Sequence, residues 1–280
     1  MKTGLVLEGG AKRGIYTAGV LDVLLENNIL TDGVIGVSAG AIHGCSYAAL
    51  QAGRSIRYNM KYGNDYRFMS FKSWLKTGNV VDTQFCYHEL PEKLDPFDNE
   101  GFQKSKIKFY VTCSNLETGK AEYILCRDMF AEIDYLRASA SLPLVSRIVH
   151  IGGKKLLDGG ITDSIPLKAF EDMGYEKNIV ILTRPAGYRK KANRLAWLSG
   201  LVYRKYPRFA EAVYQRHLMY NAELDYAEKR EKEGKVLIVR PSRFIKVGKM
   251  ESNLDRVKEM YELGRQDAQA ILDKIKKFLG

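Results

Sequence analysis

The alternation of apolar and polar positions at the start of the chain predicts two strands and two helices in alternation. Leu5 to Leu7 and Val34 to Val37 are short apolar runs of strand length. Between them, Gly14 to Glu26 carries apolar residues at the spacing of an amphipathic helix. Ala39 to Ala52 is rich in small residues that a helix accepts. This βαβα order implies a parallel sheet.

The same patterns extend the sheet and its covering helices along the rest of the chain. Further strands are predicted at Ile107 to Cys113, Ala121 to Leu125, Arg147 to Ile151, Lys154 to Leu157, Ile179 to Thr183 and Val236 to Val239. Further helices are predicted at Met129 to Ser139, Pro166 to Met173, Phe209 to Glu233 and Leu254 to Leu279. Tyr58 to Gln103 has weak periodicity and many aromatic residues, and it receives no assignment. We expect an α/β fold of three layers, with helices on both faces of a central, mainly parallel sheet.

Composition narrows the class of protein without identifying it. With 280 residues, 45% apolar and 28% charged, the chain has a globular composition, which excludes disordered, collagen-like and disulfide-scaffold proteins. No apolar run approaches the roughly 18 residues of a membrane span, and the N-terminus lacks the features of a secretory signal. The four cysteines show no metal-ligand or redox spacing. We expect a cytoplasmic protein with no metal and no organic cofactor.

The charge is strongly positive and concentrated in one segment. The chain has a net charge of +11, which favours an acidic partner such as nucleic acid or an anionic lipid surface. Arg184 to Arg208 holds basic residues interleaved with Trp197 and other apolar side chains, and no acidic residue. This composition is typical of a helix at a membrane interface and equally of a solvated surface helix. No nucleic-acid-binding motif is present, so an anionic membrane surface is the partner expected for this segment.

A Gly-x-Ser-x-Gly motif spans Gly36 to Gly40, between the second predicted strand and the second predicted helix. A nucleophilic serine needs a sharp turn, and Gly36 and Gly40 remove side chains that would collide in it. Ser38 is therefore a candidate nucleophile, although a serine here also fits a plain helix cap. His43 follows on the predicted helix, facing away from the serine, and is interpreted as a packing residue.

A glycine-rich turn, Glu8 to Gly14, joins the first strand to the first helix. Its backbone N–H groups are suited to hold a negative oxygen at the helix N-terminus. A Walker phosphate loop would need Lys and then Ser or Thr after the last glycine, where Ile15 and Tyr16 stand. A dinucleotide fingerprint would need glycine at Ala11 and an acidic residue about 20 positions further on, where Ser38 lies instead. Neither nucleotide motif fits.

Asp158-Gly159-Gly160 follows the strand-like Lys154 to Leu157. An aspartate at a strand end beside two glycines can approach another strand end closely, as a base for a serine must. The same tripeptide is also a common turn. Asp163 is the second candidate for the base, but its place before Pro166 suits a capping carboxylate.

Together these motifs, in this order, resemble the patatin-like phospholipases, and most closely their bacterial branch. The resemblance rests on the loop Gly9 to Gly14 with Arg13, on Gly36 to Gly40, on Asp158 to Gly160 and on the run Arg137 to Pro143. It covers residues 4 to 185. We therefore expect a catalytic domain over residues 1–185 and a mainly helical extension over residues 186–280, packed on it and not an independent domain.

The resemblance implies a Ser38/Asp158 dyad in place of a histidine-containing triad. It also implies a nucleophile turn with Gly36, Ala39 and Gly40, and an oxyanion hole in the glycine-rich loop. The loop residues concerned are Gly9, Gly10, Ala11, Arg13 and Gly14.

Ala11 departs from the family, which commonly has a third consecutive glycine there. An alanine N–H still donates if its backbone torsion is one that a Cβ allows. The sequence leaves three alternative roles for Arg13: orienting the loop, binding a substrate phosphate, or forming an ion pair with a nearby acidic side chain.

The function expected from these features is hydrolysis of lipid acyl esters, such as those of glycerophospholipids, by a cytoplasmic enzyme that also attaches peripherally to membranes. A general carboxylesterase or thioesterase with the same dyad is one alternative. The other is a catalytically idle basic module that binds lipid or nucleic acid. The sequence does not indicate the headgroup, the acyl position or the oligomeric state.

Overall fold

The fold is built on one eight-stranded sheet. In the computed structural model, which describes residues 1–280, the strands are β1 (Lys2–Leu7), β2 (Gly33–Val37), β3 (Lys108–Asn115), β4 (Ala121–Cys126), β5 (Val149–Ile151), β6 (Lys154–Asp158), β7 (Tyr175–Ile181) and β8 (Val236–Val239). The strand order is β5-β6-β3-β2-β1-β7-β8, with β4 paired to β3. The five strands β3, β2, β1, β7 and β8 are parallel to one another. Strands β4 and β6 both run antiparallel to β3, and β5 runs antiparallel to β6. The expected mainly parallel sheet is confirmed.

Eleven α-helices connect and cover these strands. They are α1 (Ile15–Glu26), α2 (Ala39–Ala48), α3 (Arg54–Tyr62), α4 (Phe71–Thr77), α5 (Asn99–Lys104), α6 (Ile133–Ser139), α7 (Leu167–Asp172), α8 (Leu198–Val202), α9 (Pro207–Lys232), α10 (Leu254–Ala270) and α11 (Leu272–Leu279). Short 3₁₀ turns span Ala11–Gly14 and Gly159–Ile161, and a π-helical segment spans Phe85–Leu94. No helix combines the length and the apolar character needed to cross a bilayer.

Two apolar cores on opposite faces of the sheet give the three layers expected from the sequence. Successive residues of a strand point to opposite faces. Accordingly Leu5 and Leu7 of β1 belong to the larger core, which includes residues of α1, α2 and α10. Val6 belongs to the smaller core, which includes Phe170 of α7 and Tyr220 of α9. The sheet is therefore buried on both faces, which explains its continuous apolar strands.

The C-terminal part of the chain is interleaved with the N-terminal part. Strand β8 pairs with β7 in parallel, and helix α10 packs on α1 at a close crossing. A Cβ added to Gly19 would lie 2.2 Å from the Tyr261 carbonyl oxygen, and one added to Gly264 would lie 2.2 Å from the Tyr16 carbonyl oxygen. The backbones of the two helices therefore touch where only glycine fits.

Some sequence expectations were wrong at the level of single elements. Leu254 to Leu279 is not one helix, because the chain breaks at Ile271 into α10 and α11. In the basic segment Arg184 to Arg208, only the five residues of α8 are α-helical before α9 begins. The unassigned stretch Tyr58 to Gln103 contains the end of α3, α4, the π-helical segment and most of α5. Phe85 and Leu90 of the π-helical segment pack with Tyr58 of α3 in a small apolar cluster.

Candidate active site

Ser38 occupies a strained turn between β2 and α2. Its backbone torsions are φ 54° and ψ −122°, a conformation that costs a residue with a Cβ about 1–3 kcal/mol and persists only where the surroundings enforce it. A Cβ at Gly36 would lie 2.5 Å from Ala41 Cα, and one at Gly40 would lie 2.4 Å from the Leu7 carbonyl oxygen. The tight packing of β2, α2 and β1 therefore holds Ser38 in this conformation.

Register in the sheet brings Asp158 to the same place. Val37, the last residue of β2, pairs with Thr112 of β3, and Asp158, the last residue of β6, pairs with the next residue, Cys113. The last residues of β2 and β6 therefore pair with two consecutive residues of β3, the strand between them. Ser38 and Asp158, 120 positions apart in the sequence, become neighbours for this reason.

The Asp158 carboxylate is buried, with 1% of the residue exposed. Its Oδ1 accepts a 2.8 Å hydrogen bond from the Gly160 N–H, whereas Oδ2 has no hydrogen-bond partner of ordinary geometry. Burial raises the Asp158 pKa, and nearby Arg216, the Ser38 hydroxyl and the Gly160 N–H counteract part of this shift. A carboxylate with a raised pKa is a stronger base, and with one oxygen free beside a serine it is suited to accept the proton of the hydroxyl.

The glycine-rich loop lies directly against the serine. A Cβ at Gly9 would lie 3.1 Å from Ser38 Cβ. The backbone N–H groups of Gly9, Gly10 and Ala11 make no hydrogen bond within the protein, so they are free to hold an oxyanion. The N–H of Arg13 is not free in this way, because it donates to the Gly10 carbonyl at 3.1 Å.

Ala11 adopts the left-handed conformation, with φ 49°. An alanine there costs about 1–2 kcal/mol relative to an ordinary conformation, because its Cβ crowds the following carbonyl oxygen. The loop therefore keeps the backbone course that glycine would give it, and Ala11 is strained as a result.

Glu8 fixes the start of this loop, a role that the sequence analysis missed. Its buried carboxylate accepts hydrogen bonds from the backbone N–H and hydroxyl of Thr183 and from the Tyr220 hydroxyl, the last at 2.7 Å. The loop is thereby tied to the residues after β7 and to α9. The signal available in the sequence was the position of a glutamate directly after an apolar strand.

Ser139 and Ser141 bond to the two strand ends of the site, Ser139 through its hydroxyl and Ser141 through its backbone carbonyl, and both residues were also missed. The Ser38 N–H donates to the Ser139 hydroxyl at 2.9 Å, and that hydroxyl donates to the Thr112 carbonyl at 2.7 Å. The Asp158 N–H donates to the Ser141 carbonyl at 2.9 Å. The run Arg137 to Pro143, noted above only for its resemblance, thus contacts the backbone of both candidate residues.

The two competing residues lie in other environments. His43 Nδ1 is 3.0 Å from the Ser55 hydroxyl, and burial together with Lys12 lowers the His43 pKa to about 3, so its imidazole is neutral. Asp163 accepts a 2.6 Å hydrogen bond from the Tyr123 hydroxyl and shares a hydrogen bond with Glu223, with its pKa raised by burial. Neither side chain hydrogen-bonds to Ser38.

A cavity of about 790 Å³ opens at Ser38. Twenty-nine of its 42 lining residues are hydrophobic, among them Ile42, Leu90, Leu136 and Leu142. Its lining includes six lysine or arginine residues and no aspartate or glutamate. A mostly apolar cavity of this volume, with basic and no acidic side chains in its lining, has room for an acyl chain beside the serine.

Comparison with known proteins finds matches for both parts of the chain. A family model described as patatin-like phospholipase matches residues 5–171, and a domain of unknown function (DUF6363) matches residues 206–280. The chain is 29% identical over 191 residues to the uncharacterized protein YjjU of Escherichia coli (strain K12), a match that covers 66% of this chain and 53% of that protein.

Fungal lysophospholipases also match part of the chain. Over 177 residues it is 29% identical to lysophospholipase nte1 of Emericella nidulans, which covers 61% of this chain and 11% of that protein. The chain therefore spans about half the length of YjjU and about a tenth of nte1. Among solved structures, VipD from Legionella pneumophila aligns with a TM-score of 0.49 and 13% identity, over 98% of this chain and 67% of that chain.

Proposed function

Since the chain belongs to the patatin-like phospholipase family, we propose that it is a lipid acyl hydrolase with Ser38 as nucleophile and Asp158 as base. The observation that carries the proposal is the strained Ser38 beside the free oxygen of a buried Asp158, with Ser38 lining a mostly apolar cavity of about 790 Å³. The similarity of part of the chain to lysophospholipases supports the same class of substrate.

The reaction follows from this geometry in two stages. Ser38 Oγ attacks the ester carbonyl carbon and passes its proton to Asp158, while the N–H groups of Gly10 and Ala11 hold the oxyanion. The tetrahedral intermediate expels the alcohol, which takes the proton from Asp158. Water then attacks the acyl-enzyme, loses a proton to Asp158 and releases the fatty acid as Ser38 recovers its proton.

The test combines labelling with mutagenesis. A fluorophosphonate should add once to the wild-type chain and not to Ser38→Ala, as measured by intact mass. Ser38→Ala and Asp158→Asn should each abolish ester hydrolysis, and the double variant should be little worse than either, because the two side chains act as a unit. Asp163→Asn, the matched control, should keep substantial activity. Strictly additive losses, or activity that follows Asp163 instead, would refute the dyad.

Long acyl chains are the substrates that the cavity favours over those of a general carboxylesterase or thioesterase. Its lining is mostly hydrophobic, so each additional buried CH₂ group should add about 0.8 kcal/mol of binding until the cavity is filled. A series of p-nitrophenyl esters from butyrate to palmitate measures this directly. Values of kcat/KM that fall steadily from the shortest ester would favour the general esterase.

We further propose that the chain docks on anionic membranes beside this cavity. Four large apolar side chains of the basic segment are exposed by more than half: Leu195, Trp197, Leu201 and Val202. Leu195 also lines the cavity. Tyr203 anchors the segment, because it is buried and its hydroxyl accepts the Leu144 N–H at 3.0 Å. Apolar side chains flanked by basic ones suit an interface with anionic lipid.

Residues 186–280 are proposed to fold as one unit with residues 1–185. The pairing of β8 with β7, the crossing of α10 on α1 and the bond from Tyr220 to Glu8 support this. Each of these contacts buries surface that the N-terminal part would otherwise expose. The extension is thus proposed to complete the catalytic domain.

A further inference from the structure

Four cationic side chains lie close to one another near Asp158, and we call them the cationic cluster: Arg13, Lys190, Arg216 and Lys249. The last three line the cavity together with Ser38. Arg13 lies on the glycine-rich loop and is close enough to Lys190 and Lys249 to affect their ionisation. None of the four forms an ion pair within 4.0 Å, whereas Arg189, adjacent in sequence, pairs with Asp225 at 2.6 Å.

The members of the cluster repel one another in the free protein. Burial lowers the pKa of Lys190 to about 7, and Arg216, Arg13 and Lys249 contribute to the shift. Partial burial of its ammonium, with repulsion from Arg216 and Arg13, also lowers the pKa of Lys249, although that residue as a whole is exposed. Glu8 offsets part of the shift at Lys190 and Asp158 part of the shift at Lys249, but neither carboxylate forms an ion pair within 4.0 Å with the cluster. The repulsion that remains costs free energy, which a bound anion would recover.

The surrounding contacts hold the cluster ready for a ligand. The Lys190 backbone exchanges two hydrogen bonds with the Asn221 side chain, at 2.9 and 3.0 Å, and its ammonium lies 4.3 Å from the Tyr220 ring centroid. Arg216 donates through Nε to the Gly160 carbonyl. Arg13 Nε is buried and has no hydrogen-bond partner. Donors that stay unpaired in the free protein are available to an acceptor-rich group.

We infer that the cationic cluster binds the phosphate of a lipid headgroup, and that the preferred substrates are glycerophospholipids whose headgroup is a phosphate monoester. The inference rests on the proposed function, because it places the scissile ester at Ser38 and the acyl chain in the cavity. A phosphate monoester carries about 1.5 to 2 negative charges at neutral pH and several acceptor oxygens. A choline or ethanolamine group would instead bring a further cation to the cluster.

Ether lipids, which cannot be hydrolysed, test this binding independently of catalysis. The probes are 1-O-hexadecyl-glycerol 3-phosphate and 1-O-hexadecyl-glycero-3-phosphocholine in micelles of nonionic detergent, with Kd measured by calorimetry. The phosphate lipid should bind at least about tenfold more tightly, since charge-assisted hydrogen bonds are individually worth about that factor. Binding should also take up protons near pH 7, because the phosphate restores the charge of Lys190.

Two substitutions and a control assign the effect to the cluster. Lys249→Gln and Lys190→Gln should each weaken binding of the phosphate lipid about tenfold and leave the choline lipid unchanged. Lys246→Gln removes the same charge from an exposed position near Lys249 that does not line the cavity. That control should bind both lipids as the wild type does.

The outcomes separate this inference from the proposed function. Equal Kd values for the two ether lipids, or equal losses in Lys246→Gln and Lys249→Gln, would overturn the headgroup assignment. Glycerol 3-phosphate binding as tightly as the lipid would also overturn it, because the cluster would then be a site for free phosphate. Hydrolysis of p-nitrophenyl butyrate by the wild type tests the proposed function by itself, whichever lipid is preferred.

Discussion

Replacing Asp158 by asparagine should stabilise the folded chain while it removes activity. The amide oxygen keeps the hydrogen bond from the Gly160 N–H, and the amide NH₂ takes the place of Oδ2, which has no partner. The substitution therefore removes a buried charge without changing the volume of the side chain. The amide NH₂ meets the same surroundings as Oδ2, but a neutral group loses less solvation on burial than a charged one, by about 1–3 kcal/mol. The lost attraction to Arg216, which forms no close ion pair, offsets at most about 1 kcal/mol.

The net gain is therefore about 1.5 kcal/mol in the free energy of unfolding, within a range of about 0–3 kcal/mol, which corresponds to about 3 °C in Tm for a chain of 280 residues. It should depend on pH. Burial raises the Asp158 pKa above its unfolded value, so the folded wild type binds this proton more tightly than the unfolded chain does. Its stability therefore falls as pH rises from about 4 through the folded pKa. The advantage of Asp158→Asn should be largest at pH 8 and should shrink toward pH 4.

Urea and thermal denaturation at pH 4, 6 and 8, followed by tryptophan fluorescence, measure the difference. Asp273→Asn is the matched control, because Asp273 is exposed and forms no ion pair. It should change stability by less than about 0.5 kcal/mol at every pH. An Asp158→Asn variant less stable than the wild type at pH 8, or an advantage independent of pH, would show that the carboxylate is not penalised by burial.

Four further predictions follow from other parts of the structure. Ala11→Gly should raise the free energy of unfolding by about 0.5–1 kcal/mol in urea titrations, because the relief of left-handed strain exceeds the entropy that glycine adds to the unfolded chain; an unchanged or lower value would contradict the strain. Ser139→Ala should lower kcat for a soluble ester about tenfold and leave KM unchanged, because the Ser38 N–H loses its hydrogen-bond acceptor. An effect on KM alone would contradict a positioning role for Ser139. Binding to anionic vesicles should weaken markedly between 50 and 500 mM salt, and binding to neutral vesicles should be weak throughout. A Trp197→Ala, Lys205→Gln double variant should lose hydrolysis of vesicle lipid but keep hydrolysis of a soluble ester. Equal sedimentation with both kinds of vesicle would refute the docking proposal. Deletion of residues 206–280 should leave a chain without a cooperative unfolding transition, and a folded, active fragment would refute the single folding unit.

The parts of the molecule that the sequence predicted well are those with local patterns. The strands β1 and β2 and the helix α1 follow from apolar spacing alone, and β8 was predicted with its observed bounds. Gly36 and Gly40 indicated a tight turn at Ser38, because such a turn leaves no room for larger side chains at the positions beside it. Such signals need no knowledge of distant contacts.

The rest depends on interactions that a local pattern does not contain. The π-helical segment Phe85–Leu94 includes Pro91 and does not follow the helical period, so it escaped assignment. The break at Ile271 carries neither glycine nor proline, and the apolar spacing continues through it. Arg216 and Lys249 reach the cavity from α9 and from a later loop, and only the tertiary fold brings them to residues near the N-terminus.

The position of β1 in the middle of the sheet has a consequence for the chain during its synthesis. Its neighbour β7 is made more than 160 residues later. Tyr220, which hydrogen-bonds to Glu8, follows β7, and Gly264, against which α1 packs, comes later again. A ribosome adds about 5–20 residues per second. A nascent chain that has exposed Ser38 and Asp158 therefore still lacks the partners that shape their surroundings. The surroundings of Ser38 and Asp158 are therefore completed only once Gly264 has left the ribosome, more than 100 residues after Asp158.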